Sequence, residues 1–539
     1  MVSDPHLYRG HRRPLRHTPA VSAAIMLVAL LSACTSSASV APGAPTATPP
    51  GASQGGTSAA TSSTPASGGT LNVIEPGSIV NFDPASLYDA DWPVNLALFD
   101  TLTREDAKLQ PQPRLASSWN FAADFKTLTL TLRPNMKLSD GSPLDAALVA
   151  WNIQRYMDPA TGANISGLLS TVAAVTAVDS ATIQITFKQP APTIFDALDL
   201  LFITGKGTPD AIKSTPIASG PYMLADYVPN DHATLKRNPN YWRSGFPLLD
   251  TVVVRTVPDP QAESVALQTS NADVLWNPSY AQIGSLKSAG ITVQVSNSAS
   301  IIVDILFNTT KKPFDNPLVR KAIGLAIDRS AYTQVATLGQ SMPQCLPWSQ
   351  SSPAYDPALA TCPQDLAGAK QLLQQAGYPN GFSTTIGTYQ ESWSTDLAQI
   401  VASDLAMIGV KVTINQEQDA VAESMLAASP RQYDMWAHDY GRASRDPCAV
   451  LGSTFAFKPA AATGYDTPEY RSLISQICAS TDPSVRAPLF AQLNKLFTDQ
   501  PFVLSISPLV QEIAYRPSVK GMQFNLDGML SYEEATVGP

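Results

Sequence analysis

Leu128-Thr129-Leu130-Thr131-Leu132 alternates apolar and polar residues, and a short way on Pro143 to Tyr156 sets Leu144, Leu148, Trp151 and Tyr156 along one side of a helix. The first stretch reads as a half-buried strand and the second as an amphipathic helix. The same two patterns recur outward from this point. Leu71 to Ile74, Ile183 to Phe187, Val252 to Val257, Ile291 to Val295 and Ile301 to Phe307 carry strand patterns. Pro317 to Val335, Leu366 to Ala376, Thr395 to Ile408 and Val485 to Phe497 carry helical ones, with Gly377 and Gly409 where helix ends favour glycine. The fold class is therefore α/β. No period of the length that marks solenoids or propellers repeats along the chain.

The chain has 539 residues, 44% of them hydrophobic and 15% charged, which suits large packed cores and excludes a small disulfide-stapled scaffold. That length allows about two to four domains. Acidic residues outnumber basic ones 44 to 35 for a net charge of -9, and no long basic run follows the first stretch, so nucleic acid is not an expected partner.

The amino terminus reads as an address. Arg9, His11, Arg12, Arg13, Arg16 and His17 precede an apolar core from Ala20 to Leu31, which is shorter than the roughly 20 residues of a membrane-spanning helix. Leu31-Ser32-Ala33-Cys34 resembles the bacterial lipobox, so residues 1–33 are expected to be a signal peptide and Cys34 the site of lipidation. Its acyl chains would hold the protein on a membrane surface without crossing it. Residues 35 to 69 carry no charge and are mostly Ser, Thr, Ala, Pro and Gly, the composition of a disordered tether. Gly51-Ala52-Ser53-Gln54-Gly55 matches G-x-S-x-G there, but it lacks the strand before and the helix after that a nucleophile elbow needs.

Beyond the tether stand Cys345, Cys362, Cys448 and Cys478. Four thiols in an exported chain allow three pairings, or free buried thiols, and the preferred pairing is Cys345 with Cys362 and Cys448 with Cys478. With His232 and His438 the only histidines of the body and no C-x-x-C spacing, no metal site is expected. Hydrolase, S-x-x-K, H-E-x-x-H, P-loop and dinucleotide patterns are absent from the body, which leaves little for an enzyme. Asp89 and Asp91 form an acidic pair that could serve hydrolysis, although acidic loop residues are more often solvated.

A series of short motifs then follows in order: Asn81-Phe82-Asp83-Pro84-Ala85, Ala97 to Leu102, Pro113 to Trp119, Leu130 to Leu144, Ala218-Ser219-Gly220-Pro221-Tyr222, Arg237 to Trp242, Leu306-Phe307-Asn308-Thr309, Pro317 to Ile323, and Ala369 to Tyr378. The series resembles the family 5 bacterial extracellular solute-binding proteins, the peptide and nickel receptors of ATP-binding-cassette (ABC) importers, from about Leu71 to the C terminus.

The resemblance implies a two-lobed periplasmic-binding-protein type II fold with an extra subdomain in lobe one (cluster C). Lobe one would comprise residues 71–305 and 505–539, lobe two 306–504, and residues 34–70 the lipidated cysteine and linker. A solute touching both lobes would close the clamp, a shift that takes about 5.5 kcal/mol of differential binding. The candidate ligand-binding residues are Tyr88, Asp91, Trp92, Trp276 and Asn277 from lobe one, and Tyr389, Glu391, Trp393, Trp436, Asp439, Tyr440, Arg442 and Asp446 from lobe two. Aromatic faces supply contact area and a few polar groups fix orientation. Trp276 and Trp436 read equally well as core residues. Arg442 and Arg445 favour an anionic group on the solute, with solvated surface charge as the alternative.

Peptide-binding members hold the ligand's α-amino group with an Asp shortly before an Asp-Pro pair. Here the pair is Asp446-Pro447 and that position is Ala443. The expected protein is a monomeric, extracytoplasmic lipoprotein on the cell membrane. It would capture an oligopeptide or peptide-like solute and deliver it to ABC permease subunits, without catalytic residues or cofactor. The alternatives are a glycoside, amphipathic metabolite or metal chelate in the same cleft, or a regulatory or sensor lipoprotein.

Overall fold

A computed structural model describes residues 68–86, 92–296, 299–428 and 431–538. The expected signal peptide, Cys34, the expected tether up to residue 67, and Tyr88, Asp89 and Asp91 lie outside the described residues. The stretch that opens the sequence reading forms a strand at Thr127–Leu132, with Leu128, Leu130 and Leu132 buried on one face. The helix after it runs Ala146–Met157, three residues later than the pattern of Pro143 suggests. Pro143 is instead bridged to Lys137, and the Leu144 amide donates to the Met136 carbonyl at 3.0 Å. Asp145 then caps the helix by accepting from the Leu148 amide at 2.9 Å.

Three larger sheets organise the body. A seven-stranded mixed sheet has the spatial order Thr292–Val295, Glu512–Tyr515, Val274–Trp276, Thr70–Glu75, Thr251–Thr256, His232–Arg237, Tyr222–Val228. A four-stranded sheet, Ala116–Phe121, Thr127–Leu132, Thr182–Phe187 and Val172–Ala177, shares one continuous core with it. A five-stranded sheet is built from Lys411–Gln416, Ser383–Thr388, Met435–Tyr440, Ile301–Phe307 and Val503–Leu509. The chain therefore passes between the seven- and five-stranded sheets twice, after Val295 and after Leu509.

Ile301–Phe307 is buried along its whole length. Its side chains alternate between two cores: Ile302 and Leu306 join Trp348, Phe457 and Phe502, while Val303, Ile305 and Phe307 join Ile323 and Leu397. A strand covered on both faces reads as a continuous apolar run for this reason. The helical pattern from Pro317 to Val335 splits into Pro317–Ala326 and Arg329–Ala336. Asp328 interrupts it: its carboxylate accepts from the Ser330 and Ala331 amides and so starts a new helix.

The family-like motifs meet in space. Asp100 is fully buried and accepts a bidentate pair from Arg114 at 2.9 and 2.8 Å, the Trp242 indole N–H at 2.8 Å, and the Tyr241 hydroxyl at 3.1 Å. Arg114 also reaches Glu533 at 3.0 Å, tying the C-terminal return to the same knot. A Cβ on Gly220 would stand 2.6 Å from the Leu98 carbonyl carbon, so only glycine lets the Ala218–Tyr222 motif pass this close. Disulfides join Cys345 to Cys362 and Cys448 to Cys478, with Cα separations of 5.8 and 5.6 Å. No helix among the described residues is long and apolar enough to cross a membrane, and no group of side chains among them is arranged to hold a metal ion.

Candidate functional site

The two sheet systems meet at a turn that follows the strand Met435–Tyr440. Gly441 to Asp446 leads into the short helix Pro447–Ser453, with Arg442 in the left-handed region at φ 72°. Asp446 fixes the turn from behind. Its carboxylate caps the helix by accepting from the Cys448 amide at 3.0 Å, and it takes both terminal nitrogens of Arg486 at 2.6 and 2.7 Å. The Cys448–Cys478 bridge then ties the helix to its neighbour Pro468–Cys478. These contacts brace the turn from behind, and Arg445 stands near its end.

Arg445 is 0% exposed and faces four carboxyl groups from the other sheet system. Its Nη1 donates to Glu105 at 2.9 Å and its Nη2 to Asp199 at 2.7 Å. Its Nε donates to both oxygens of Asp527 at 3.1 and 3.0 Å, and Asp196 lies 3.7 Å from Nη1. Glu105 comes from the strand Thr103–Glu105, Asp196 and Asp199 from the helix Phe195–Leu200, and Asp527 from the C-terminal return.

Four carboxyl groups around one guanidinium cannot all keep ordinary acidity. Burial pushes Glu105 up to about 7, with Arg445 opposing, and burial together with Glu105 raises Asp196 well above the usual carboxylate range. Burial also raises Asp199. Burial acts on Asp527 in the same direction, but Arg445 reverses it and holds this carboxyl below its ordinary value. Burial and the guanidinium thus pull the acidities within one cluster in opposite directions.

Closer contacts surround the cluster. The Ser300 hydroxyl donates to Asp527 at 3.2 Å and accepts from the Arg442 amide at 3.1 Å, and the Ser444 hydroxyl donates to the Leu526 carbonyl at 2.9 Å. Beside it a cavity of about 140 Å³ is lined by Thr171, Gln189, Thr193 and Asp196 on one side and by Cys448 and Gly452 on the other. A larger groove of about 820 Å³ begins at Glu105 and runs past Gln112, Trp242, Phe524 and Ser351. That is the size of a small-molecule or short-peptide site.

The remaining sequence candidates are distributed as follows. Trp92 begins the helix Trp92–Leu98. Trp276 is 3% exposed and packs on Phe524, and Asn277 beside it is exposed with φ 49°. Tyr389, Trp393 and Trp436 form one aromatic cluster, with ring centroids 5.8 and 6.0 Å from Tyr389. Trp436 is fully buried against Gly387, whose absent side chain makes room for the indole. Glu391 stands exposed at the start of the helix Ser392–Ala406, Asp439 is half-buried, and the Tyr440 hydroxyl donates to the Pro347 carbonyl at 3.0 Å. The half-buried Arg442 donates to the Ser453 hydroxyl at 3.0 Å, and Asp446 is engaged by Arg486. Arg445 is neither solvated nor open to an anion, since its donors are taken by carboxylates of its own chain.

Glu105, Asp196, Asp199 and Asp527 were not legible as a site. They come from three distant segments, and no spacing rule links them.

The chain is similar to known proteins over most of its length. The family model for bacterial extracellular solute-binding proteins, family 5 Middle, matches residues 110–461. The glutathione-binding protein GsiB of Escherichia coli strain K12 is 28% identical over 484 residues, covering 84% of this chain and 92% of that protein. Among solved structures, AgaA from A. tumefaciens R10 in complex with agropinic acid gives a TM-score of 0.76 at 24% identity, covering 87% of this chain and 99% of that one. The peptide complex of DppA from Helicobacter pylori gives 0.75 at 24%, covering 88% and 99%. These neighbours share the two-lobed type II fold, which the sheets described above match. The chain belongs to the family 5 bacterial extracellular solute-binding proteins.

Proposed function

We propose that this substrate-binding protein of an ABC importer is held on the outer face of the cell membrane by a lipid on Cys34. It captures a small solute between two lobes and presents it to the permease, with no catalytic residue of its own. One lobe is built on the seven- and four-stranded sheets with the C-terminal return, the other on the five-stranded sheet. The hinge lies in the two crossings after Val295 and Leu509. One observation supports the reading: Arg445, which falls in the proposed second lobe, is wholly enclosed by carboxyl groups of the proposed first, the arrangement expected of a closed clamp.

The leading solute class is an oligopeptide or peptide-like molecule, in line with the names of GsiB and DppA. A non-peptide solute is the second reading, favoured by Ala443. This residue is fully buried, and a methyl group stands where an amine-binding carboxylate is expected.

Native mass spectrometry of protein purified from its own host tests the proposal, paired with small-angle scattering before and after the copurified solute is removed. A retained solute and a larger radius of gyration on its removal are expected. Empty protein with an unchanged profile would end the transport reading.

A further inference from the structure

We infer that Arg445 is a tethered cation filling a cation-binding cup on the first lobe, so that the clamp discriminates against solutes that would place a guanidinium or ammonium group there. The inference rests on the two-lobe reading above and adds a determinant of specificity to it.

The cup is made by the first lobe alone. Glu105, Asp196, Asp199 and Asp527 converge on one point, each with a side chain no more than 6% exposed. The Asp196 Oδ1 has no hydrogen-bond partner and is directed at Arg445 Nη1, 3.7 Å away. The charges around the cup do not replace the guanidinium. Arg104 pairs with Asp100 at 3.6 Å, Arg442 donates to Ser453, and Asp446 is held by Arg486. Arg445 supplies what the cup selects for: a planar fork whose three nitrogens each meet a carboxylate.

Buried carboxylates without a counter-ion are costly, so closing over this cup is favoured by a cation in it. That cation sits on the partner lobe, one hinge away. Its encounter with the cup is intramolecular and corresponds to effective concentrations of about millimolar or above, which a free cation must exceed. Occupation by its own side chain rejects a competitor without any steric clash. A solute of this clamp therefore needs no positive group at this point. The methyl group of Ala443, two residues earlier on the same turn, fits the same selectivity.

The test uses Arg445→Ala and methylguanidinium chloride, with methylammonium and potassium chloride at equal concentration as controls, read by small-angle scattering and thermal shift. Arg445→Ala should be more open than the wild type. Methylguanidinium at about 10 mM should close it and raise its melting temperature, and the wild type should respond at least about tenfold more weakly. Adding Asp199→Asn to Arg445→Ala should remove the response. The inference is overturned if Arg445→Ala stays closed unaided, if methylguanidinium does no more than potassium, or if the wild type binds it equally well. If Arg445→Ala does not fold, Arg445→Lys carries the same test, since methylguanidinium should displace a lysine that lacks the fork; indifference there overturns the inference. If the wild type shows no difference between solute-loaded and stripped protein, the clamp reading itself fails. A variant that opens but is not rescued sinks only the role given to Arg445.

Discussion

The backbone carbonyl oxygen of Gly452 lies 2.4 Å from where a Cβ of Gly167 would stand. The Ser453 Cα is 3.0 Å from the same point. Gly167 does not have a positive φ, so its backbone accepts any residue, and only the approach of the Gly452–Ser453 backbone requires glycine. In the proposed two-lobed clamp, Gly167→Val should leave each lobe intact and oppose closure. Overpacking of about 1 to 3 kcal/mol corresponds to roughly 5- to 150-fold weaker solute binding. Scattering should show an enlarged radius of gyration, whereas a drop in melting temperature at unchanged size would point to a role inside the first lobe.

Arg114 serves stability rather than binding. It spans Asp100, Tyr241 and Glu533, and its removal strips buried Asp100 of its bidentate partner, leaving only Arg104 at 3.6 Å as a cation, and leaves Glu533 to Arg243 alone. Arg114→Met should cost about 3 to 5 kcal/mol, the range for breaking a buried pair from one side. Denaturant unfolding is the measurement. A loss below about 1 kcal/mol would mean that the pair behaves like a solvated surface bridge.

The Cys448–Cys478 bridge closes a segment with a sequence separation of 30, worth about 3 to 4 kcal/mol in the chain-entropy account. It also anchors the helix that follows Arg445. Cys448→Ser with Cys478→Ser should lower stability by that amount and increase amide exchange in Pro447–Ser453, while the Ile301–Phe307 strand remains protected. Uniform loss of protection would show that the bridge acts only on the unfolded chain.

Much of this fold was legible because secondary structure and burial follow local periodicity. Thr127–Leu132 alternates and is half-buried, and Ile301–Phe307 is continuously apolar because it is covered on both faces. The break at Asp328 was hidden, since an apolar period continues through it and only the side-chain cap interrupts the helix. Trp436 and Trp276 were ambiguous for a related reason: an aromatic residue at a strand end suits a core and a cleft equally. The acidic cup was invisible because a cluster assembled from three segments by tertiary folding leaves no spacing in the sequence. The motif fragments around Asp100 and Arg114 could be recognised, but not the knot that they form.

The pH response should separate two buried glutamates whose acidity is perturbed alike. Glu105 and Glu512 are both pushed up to about 7 from the ordinary value of 4.5, chiefly by burial, with Arg445 opposing in the first case and Lys287 in the second. A carboxyl whose pKa is raised in the folded state binds more protons there than when unfolded. Its contribution to stability is complete below about pH 4.5 and is lost as pH rises through 7. Asp527, held below its ordinary value, acts in the opposite sense at lower pH. The melting temperature should therefore fall between about pH 5 and 8, and Glu105→Gln and Glu512→Gln should each flatten that fall. Their effects on shape should differ. Glu105 accepts from Arg445, whose charge opposes the rise, so loss of the Glu105 proton strengthens that contact: the wild type should stay closed or tighten as pH rises through 7, and Glu105→Gln should lack that response. Glu512 lies in a strand of the seven-stranded sheet, and neither of its carboxylate oxygens has a hydrogen-bond partner, so Glu512→Gln should alter the melting curve and leave the scattering profile as it was. Equal effects of the two variants on the radius of gyration would show that proton uptake is not localised at the contact between the lobes.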